Sequence, residues 1–356
     1  MTRAHSIEPG SLDPRVRDLP VLVLDDRPGG LRMVFRPIPV GSFRMGGRGF
    51  DEDEEPAHGV LVRGVPGRPD LPAYWLAETQ VTQRQFALWT ESEEYRAWCS
   101  ETAQEDVHAN HFRGEPRAPA EQVTWFEARA FCAWLHHAAW SDAAGPVLAG
   151  ARVGFDLPTE TEWEYACRAG TTTEYWSGDG EAALAEAGWY GENSARRTHA
   201  VGELAANAWG LFDVHGNVWE WCLDRWEADA YRSRREGDAC DDRRACEQAA
   251  LADRQAHRSV RGGSWVYSAA GSRSAFRAGG EPGARVRYRG FRVCLLVGAE
   301  VTVGSSAEAS GERARDAMGR GGGSHVSQPD GRSQPSAERS QGLVPGEAPP
   351  FGGGKA

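Results

Sequence analysis

With 356 residues, 40% of them hydrophobic and 26% charged, the chain has the composition of a globular protein of one large domain or two ordinary ones. A net charge of −11 with no basic stripe argues against nucleic acid or an anionic membrane as partner. No apolar run reaches the roughly 18 residues of a membrane span, and none follows Met1 as a signal peptide would. The expected location is therefore cytoplasmic.

Composition divides the chain into three regions. Residues 1–30 are a polar lead whose one apolar run, Leu19–Leu24, suits an edge strand. Residues 31–303 are dense in aromatics and carry all 14 Trp, which suggests a loop-rich body packed by flat side chains. Residues 304–356 are Gly, Ser, Pro, Gln and charge. They hold too little apolar area to offset the entropy of ordering them, so a disordered tail is expected.

In chain order, Phe35–Met45, with Pro37, Pro39 and Gly41, reads as one short edge strand with a bulge. Three helices begin with the same capping signal: Thr82 with Gln85, Thr124 with Glu127, and Thr159 with Glu162. The second places Ala128, Phe131, Cys132 and Leu135 on one face. The third aligns Trp163, Ala166 and Cys167, then ends with Arg168 in its last turn and Gly170 as the stop. Glu227–His257 is charged, holds little apolar periodicity and reads as a surface excursion. Beyond Gly290, the alternation of Phe291, Val293, Leu295 and Val297 predicts a half-buried strand.

Seven cysteines without a CxxC pattern do not form a disulfide framework. Cys240 and Cys246 are near enough to pair or to share a metal, or they are plain thiols in a loop; Cys294 reads as a core residue. His136 and His137 are adjacent on a helix, project about 100° apart, and do not easily face one metal. There is no His-Glu-x-x-His, Walker loop or nucleophile elbow.

Seven blocks, in order, resemble the sulfatase-modifying-factor family, whose founding activity is formylglycine generation. They are Ile38–Gly46; Glu55-Pro56 with His58; Gln80–Gln83; Val123–Trp125 leading into Cys132–Leu135; Leu157–Glu164; Gly210–Trp221; and Arg261–Trp265 with Arg273, Arg277 and Gly290–Val293. The likeness implies an α+β fold: a single loop-rich domain related to C-type lectins, with few short helices and short antiparallel strands. It makes Trp125, Trp163, Trp219, Trp221 and Trp265 structural before anything else.

In formylglycine-generating members, two cysteines between the Gly-Gly-Ser-aromatic and Gly-Phe-Arg blocks hold copper(I), and O2 oxidises a substrate cysteine. Copper(I) prefers soft thiolates. Here that segment, Val266–Arg289, contains no Cys, and Tyr267 and Ser272 stand about where the pair would. A phenol and a hydroxyl neither hold copper(I) comparably nor form a mixed disulfide, so no catalytic residue is assigned and copper is not expected. The related iron-dependent sulfoxide synthases take their histidine ligands from a helical bundle that has no counterpart here.

The resemblance also implies a structural calcium ion at Asn217, the Val218 carbonyl and Glu220, donors of the hard-oxygen type. A hydrogen-bonded turn without an ion is the other reading. The segment that replaces the copper site is rich in Tyr and Arg: Trp265, Tyr267, Arg273, Phe276, Arg277, Arg287 and Tyr288. In relatives that serve as diversified retroelement targets the same segment is an exposed ligand-binding face, and Tyr offers large contact area at low entropic cost. An ordinary loop surface remains open. The first functional expectation is a binding or accessory module for a protein or peptide ligand. The alternative is a metal-dependent oxidoreductase acting on a protein or thiol, with Cys240 and Cys246 as ligands; a purely structural domain is a third reading.

Overall fold

Backbone N–H groups in the first turn of a helix have no helical acceptor, and three threonines supply one. In the computed structural model, Thr82, Thr124 and Thr159 accept from the backbone N–H of Gln85, Glu127 and Glu162 at 3.1–3.2 Å. The side chains of those three residues accept in return from the threonine N–H groups at 2.8–2.9 Å. The structure describes residues 12–298 apart from 27–30, 48, 103–109, 144–147, 149–152, 235–237 and 240–242. The expected tail at 304–356 lies outside the described residues, as does Cys240.

The chain begins with α1 (Pro14–Arg17), β1 (Leu22–Asp26), β2 (Leu31–Ile38), β3 (Gly41–Met45), β4 (His58–Val62) and β5 (Tyr74–Ala77). There follow α2 (Gln83–Thr90), α3 (Glu93–Thr102), α4 (Trp125–Ala143), β6 (Val153–Asp156), α5 (Glu160–Arg168) and α6 (Gly180–Ala187). The remaining elements are β7 (Gly188–Trp189), β8 (His215–Gly216), β9 (Trp219–Arg225), β10 (Asp238–Ala239), α7 (Arg243–Ala252), β11 (Arg258–Arg261), β12 (Ala278–Gly280), β13 (Arg289–Phe291) and β14 (Cys294–Val297). A five-stranded antiparallel sheet runs β1-β2-β5-β14-β6, and a four-stranded sheet runs β12-β11-β9-β13 with β13 parallel to β9. Two smaller sheets, β10-β4-β3 and β7-β8, complete the mixed α+β domain. Among the described residues no helix is long and apolar enough to cross a membrane.

Three local expectations are corrected. Phe35–Met45 is two strands in two sheets. Pro37, opposite Trp75 of β5, is tolerated in β2 because β1 pairs only as far as Phe35. The run from Phe291 to Val297 also divides, ending β13 and then forming β14. It is buried on both faces, because Leu295 joins the cluster of Trp75, Phe131 and Phe291 while Cys294 and Leu296 join that of Trp163 and Ala166. Alternation therefore divides two cores and not core from water. In the stretch read as a surface excursion, α7 packs on the core through Ala250, and its Glu247 pairs with Arg129 at 2.8 Å. Helix α5 ends at Arg168, and the chain leaves it through positive φ at both Ala169 (46°) and Gly170 (94°), the stop the sequence leads one to expect.

The core is aromatic, as the Trp count suggests: Trp163 and Trp221 are almost fully buried, and Trp125, Trp219 and Trp265 are 3% exposed. Charge is buried with it. Glu160 and Glu164 of α5 face Arg261, Arg277 and Arg168. Burial alone would raise the Glu160 carboxyl, but Arg277 and Arg261 bring it down to about 2.

Candidate functional site

After β11 the chain turns through Gly262 and Gly263, both at positive φ, and passes over Ser272; a Cβ on Gly263 would come 2.3 Å from the Ser272 Oγ. A turn from Ser264 to Tyr267 follows, and the Tyr267 carbonyl accepts from Gly191. The Tyr267 ring meets Trp219 edge-on at 5.4 Å and Tyr288 at 5.6 Å; Phe276 lies 5.9 Å from Trp219. Trp265 donates from its indole N–H to the Arg287 carbonyl at 3.1 Å, and the exposed Arg287 guanidinium lies 5.5 Å from the Trp265 ring. Tyr267, Phe276 and Tyr288 thus gather, partly exposed, around Trp219, while Arg287, next to Tyr288 in the chain, lies exposed over Trp265.

Three residues expected on that face lie beneath it. Trp265 is buried. Arg273 forms two hydrogen bonds to Glu54 at 2.7–2.8 Å, and Arg277 two to Glu160 at 2.7–2.9 Å. The carboxylates explain this: each is buried and needs a planar, two-pronged cationic donor.

Ser272 is fully buried, and its carbonyl accepts from His215 Nδ1 at 2.8 Å; His215 Nε2 accepts from the Trp176 N–H at 3.0 Å. Burial pushes His215 down to about 3, so the ring is a neutral brace. Burial, with Tyr288 second, pushes the Tyr267 hydroxyl up to about 12. The thiols of Cys132, Cys222 and Cys294 are held well above their ordinary value by burial, and Cys167 is pushed up to about 12. Cys246 lies 3.6 Å from an Asp224 oxygen. His58 sits edge-on to Tyr231, and His199 stacks on Trp189 at 3.8 Å. Among the described residues no three His, Cys, Asp or Glu side chains gather as metal ligands.

The three expected calcium donors separate. Asn217 clamps the His199 backbone, accepting from its N–H and donating to its carbonyl. The Val218 carbonyl and Glu220 Oε1 converge with the Asp213 and Gly216 carbonyls on one point, all within 3.3 Å of the Gln80 amide nitrogen. That nitrogen has two hydrogens for four acceptors. Arg292 and the Trp163 indole also bond Glu220. The donors are of the calcium type, but as folded the Gln80 amide fills their centre, and the arrangement does not fit an ion unless that amide moves.

Residues 31–296 match the model of the sulfatase-modifying factor enzyme 1-like domain. The chain belongs to this family. It is 32% identical over 225 residues to a formylglycine-generating enzyme of Mycobacterium tuberculosis, covering 52% of this chain and 71% of the other. It is 27% identical over 210 residues to the chaperone protein LppX of Paenibacillus barcinonensis, covering 47% and 70%. In structure it is similar to Treponema denticola variable protein 1, with a TM-score of 0.55 and 25% identity, covering 77% of this chain and 98% of that one.

Within this sulfatase-modifying-factor domain, two buried groups have roles that the sequence does not show. Glu121 is buried; one carboxylate oxygen accepts the Phe112 N–H at 2.8 Å, and the other has no hydrogen-bond partner among the described residues. Burial pushes it up to about 7. Gln80 falls inside a family block, yet its role at the oxygen cluster depends on residues more than 130 positions away.

Proposed function

We propose that this sulfatase-modifying-factor protein is a binding or accessory module that meets a protein or peptide through Tyr267, Phe276, Arg287 and Tyr288. Copper-dependent conversion of cysteine to formylglycine is then not its activity. One observation carries the reading: the segment between Trp265 and Gly290 offers a phenol and a sealed serine at the two positions where the family's thiolates are expected. What occupies the segment instead is an aromatic face of the composition that recognition surfaces favour. That similar domains occur in a chaperone and in a variable protein supports it further.

The rival reading, a metal-dependent oxidoreductase, draws on the 32% identity to a formylglycine-generating enzyme. Two measurements separate them. A peptide-library selection on the immobilised protein is expected to enrich sequences that lose at least about tenfold in affinity to a Tyr267→Ala/Tyr288→Ala variant. Oxygen uptake with a cysteine-containing peptide is expected to stay at background. Uptake together with stoichiometric copper or iron that disappears in Cys240→Ser/Cys246→Ser would overturn the binding-module reading. So would a selection indifferent to the two tyrosines.

A further inference from the structure

Buried arginines of this domain meet carboxylates: Arg129, Arg261, Arg273, Arg277 and Arg292 each reach one within 3.1 Å. Three others, far from those pairs in sequence, do not. Arg32 of β2, Arg84 of α2 and Arg117, between α3 and α4, line one cleft of about 400 Å³ that no residue of the 265–289 segment borders. All three are exposed, and none has an ion pair among the described residues. Glu78 is the one carboxylate among the cleft's described lining residues, and Arg36 takes it at 2.6 Å. Glu115, two residues before Arg117, turns an oxygen to the Arg117 backbone N–H at 3.0 Å.

The walls that carry these arginines are pinned to one another. The Gln85 side-chain amide donates to the Arg32 carbonyl at 2.6 Å and ties β2 to α2. The Arg84 N–H donates to the Pro116 carbonyl at 3.0 Å, which ties α2 to the segment before α4. Arg117 closes the third side: its Nη2 donates to the Val201 carbonyl, and its own carbonyl accepts the Val201 N–H, both at 3.0 Å. Three guanidinium groups are thus rooted around one concavity of a chain whose net charge is −11. Their field is focused into the cleft, and an anion seated there relieves their mutual repulsion.

We propose that this cleft binds a small phosphate ester, at a site separate from the Tyr267–Tyr288 surface and independent of the binding-module reading. The fork of one guanidinium already satisfies a carboxylate. A phosphate monoester carries close to two charges above pH 7 and three terminal oxygens, which suits forks arriving from three walls. The cleft is larger than a phosphate group and lies within the size range of small-molecule sites. Val34, Val201 and Phe212 give it an apolar side for the organic part of the ester. A nucleic acid is not the occupant, because an acidic chain repels a long polyanion.

The test titrates the full chain at pH 8 and about 0.15 M salt, with calorimetry and thermal shift as readouts. Phenyl phosphate is expected to bind at one site and raise Tm. Benzenesulfonate, of the same shape with a single charge, and phthalate, a dicarboxylate, are expected to bind at least about tenfold more weakly. Arg32→Gln and Arg84→Gln are each expected to weaken phenyl phosphate at least about tenfold while leaving Tm without ligand unchanged, since both side chains are exposed. Arg232→Gln, at an exposed arginine outside the cleft, is expected to bind as the wild type does. The site is overturned if no saturable binding appears, if either control anion binds as tightly, or if the two cleft variants bind like the wild type. Equal weakening by Arg232→Gln would overturn it as general attraction to surface arginines. So would a loss of several degrees in the ligand-free cleft variants, which marks a structural role. Inorganic phosphate binding more tightly than phenyl phosphate would overturn the ester as ligand.

Discussion

At the scale of single residues, Glu121 ties stability to pH. Its carboxyl ionises near 4.5 in an unfolded chain and near 7 in the folded one, because burial disfavours the charge by more than the Phe112 and His111 backbone N–H groups favour it. The stability that this group supports is full below about pH 4.5 and is lost as pH rises through about 7, a difference on the order of 3 kcal/mol. Glu121→Gln is therefore predicted to raise the midpoint of urea unfolding at pH 8 and to change it little at pH 5; equal shifts at both pH values would contradict this. Gln80 gives a second prediction. Gln80→Ala strips the donor from four converging oxygens and should cost about 3 kcal/mol. Millimolar calcium should then raise the Tm of the variant more than that of the wild type. A larger calcium effect on the wild type would show that the ion, not the amide, fills that point in solution.

Helix α5 shows at the scale of elements what local sequence carries and what it does not. Its start is legible because the Thr159 and Glu162 exchange lies within four residues. Its load is not, because Glu160 meets Arg261 and Arg277 from about 100 residues further on. Thr159→Ala is predicted to cost about 1 kcal/mol and Glu160→Gln about 3 kcal/mol or more, since the latter leaves two buried guanidinium groups short of a counter-charge. Chemical denaturation that ranks the two the other way would contradict this account of α5. The same reasoning explains the elements that sequence hid. Helix α7 has a narrow stripe of small residues, with Ala250 its buried apolar side chain, and helix α3 buries just Tyr95 and Cys99. Alternation in β14 cannot distinguish core from water when both faces are core.

For the molecule as a whole, the fold was legible because seven blocks recur in order, and each is a local device: a cap, a turn or an aromatic plate. The candidate face was legible in composition but not in depth. Tyr267, Phe276 and Tyr288 gather around Trp219, whereas Arg273 and Arg277 turn inward to Glu54 and Glu160, carboxylates more than 100 positions earlier in the chain. What sequence does state outright is the absence of cysteine from Val266–Arg289, and the proposed function depends on it.

Anaerobic titration with copper(I) against a competing chelator tests that dependence most directly. The account predicts that the wild type leaves the metal with the chelator and that Tyr267→Cys/Ser272→Cys gains one tightly held equivalent, because two thiolates are what copper(I) needs at this position. One equivalent bound tightly by the wild type would contradict it.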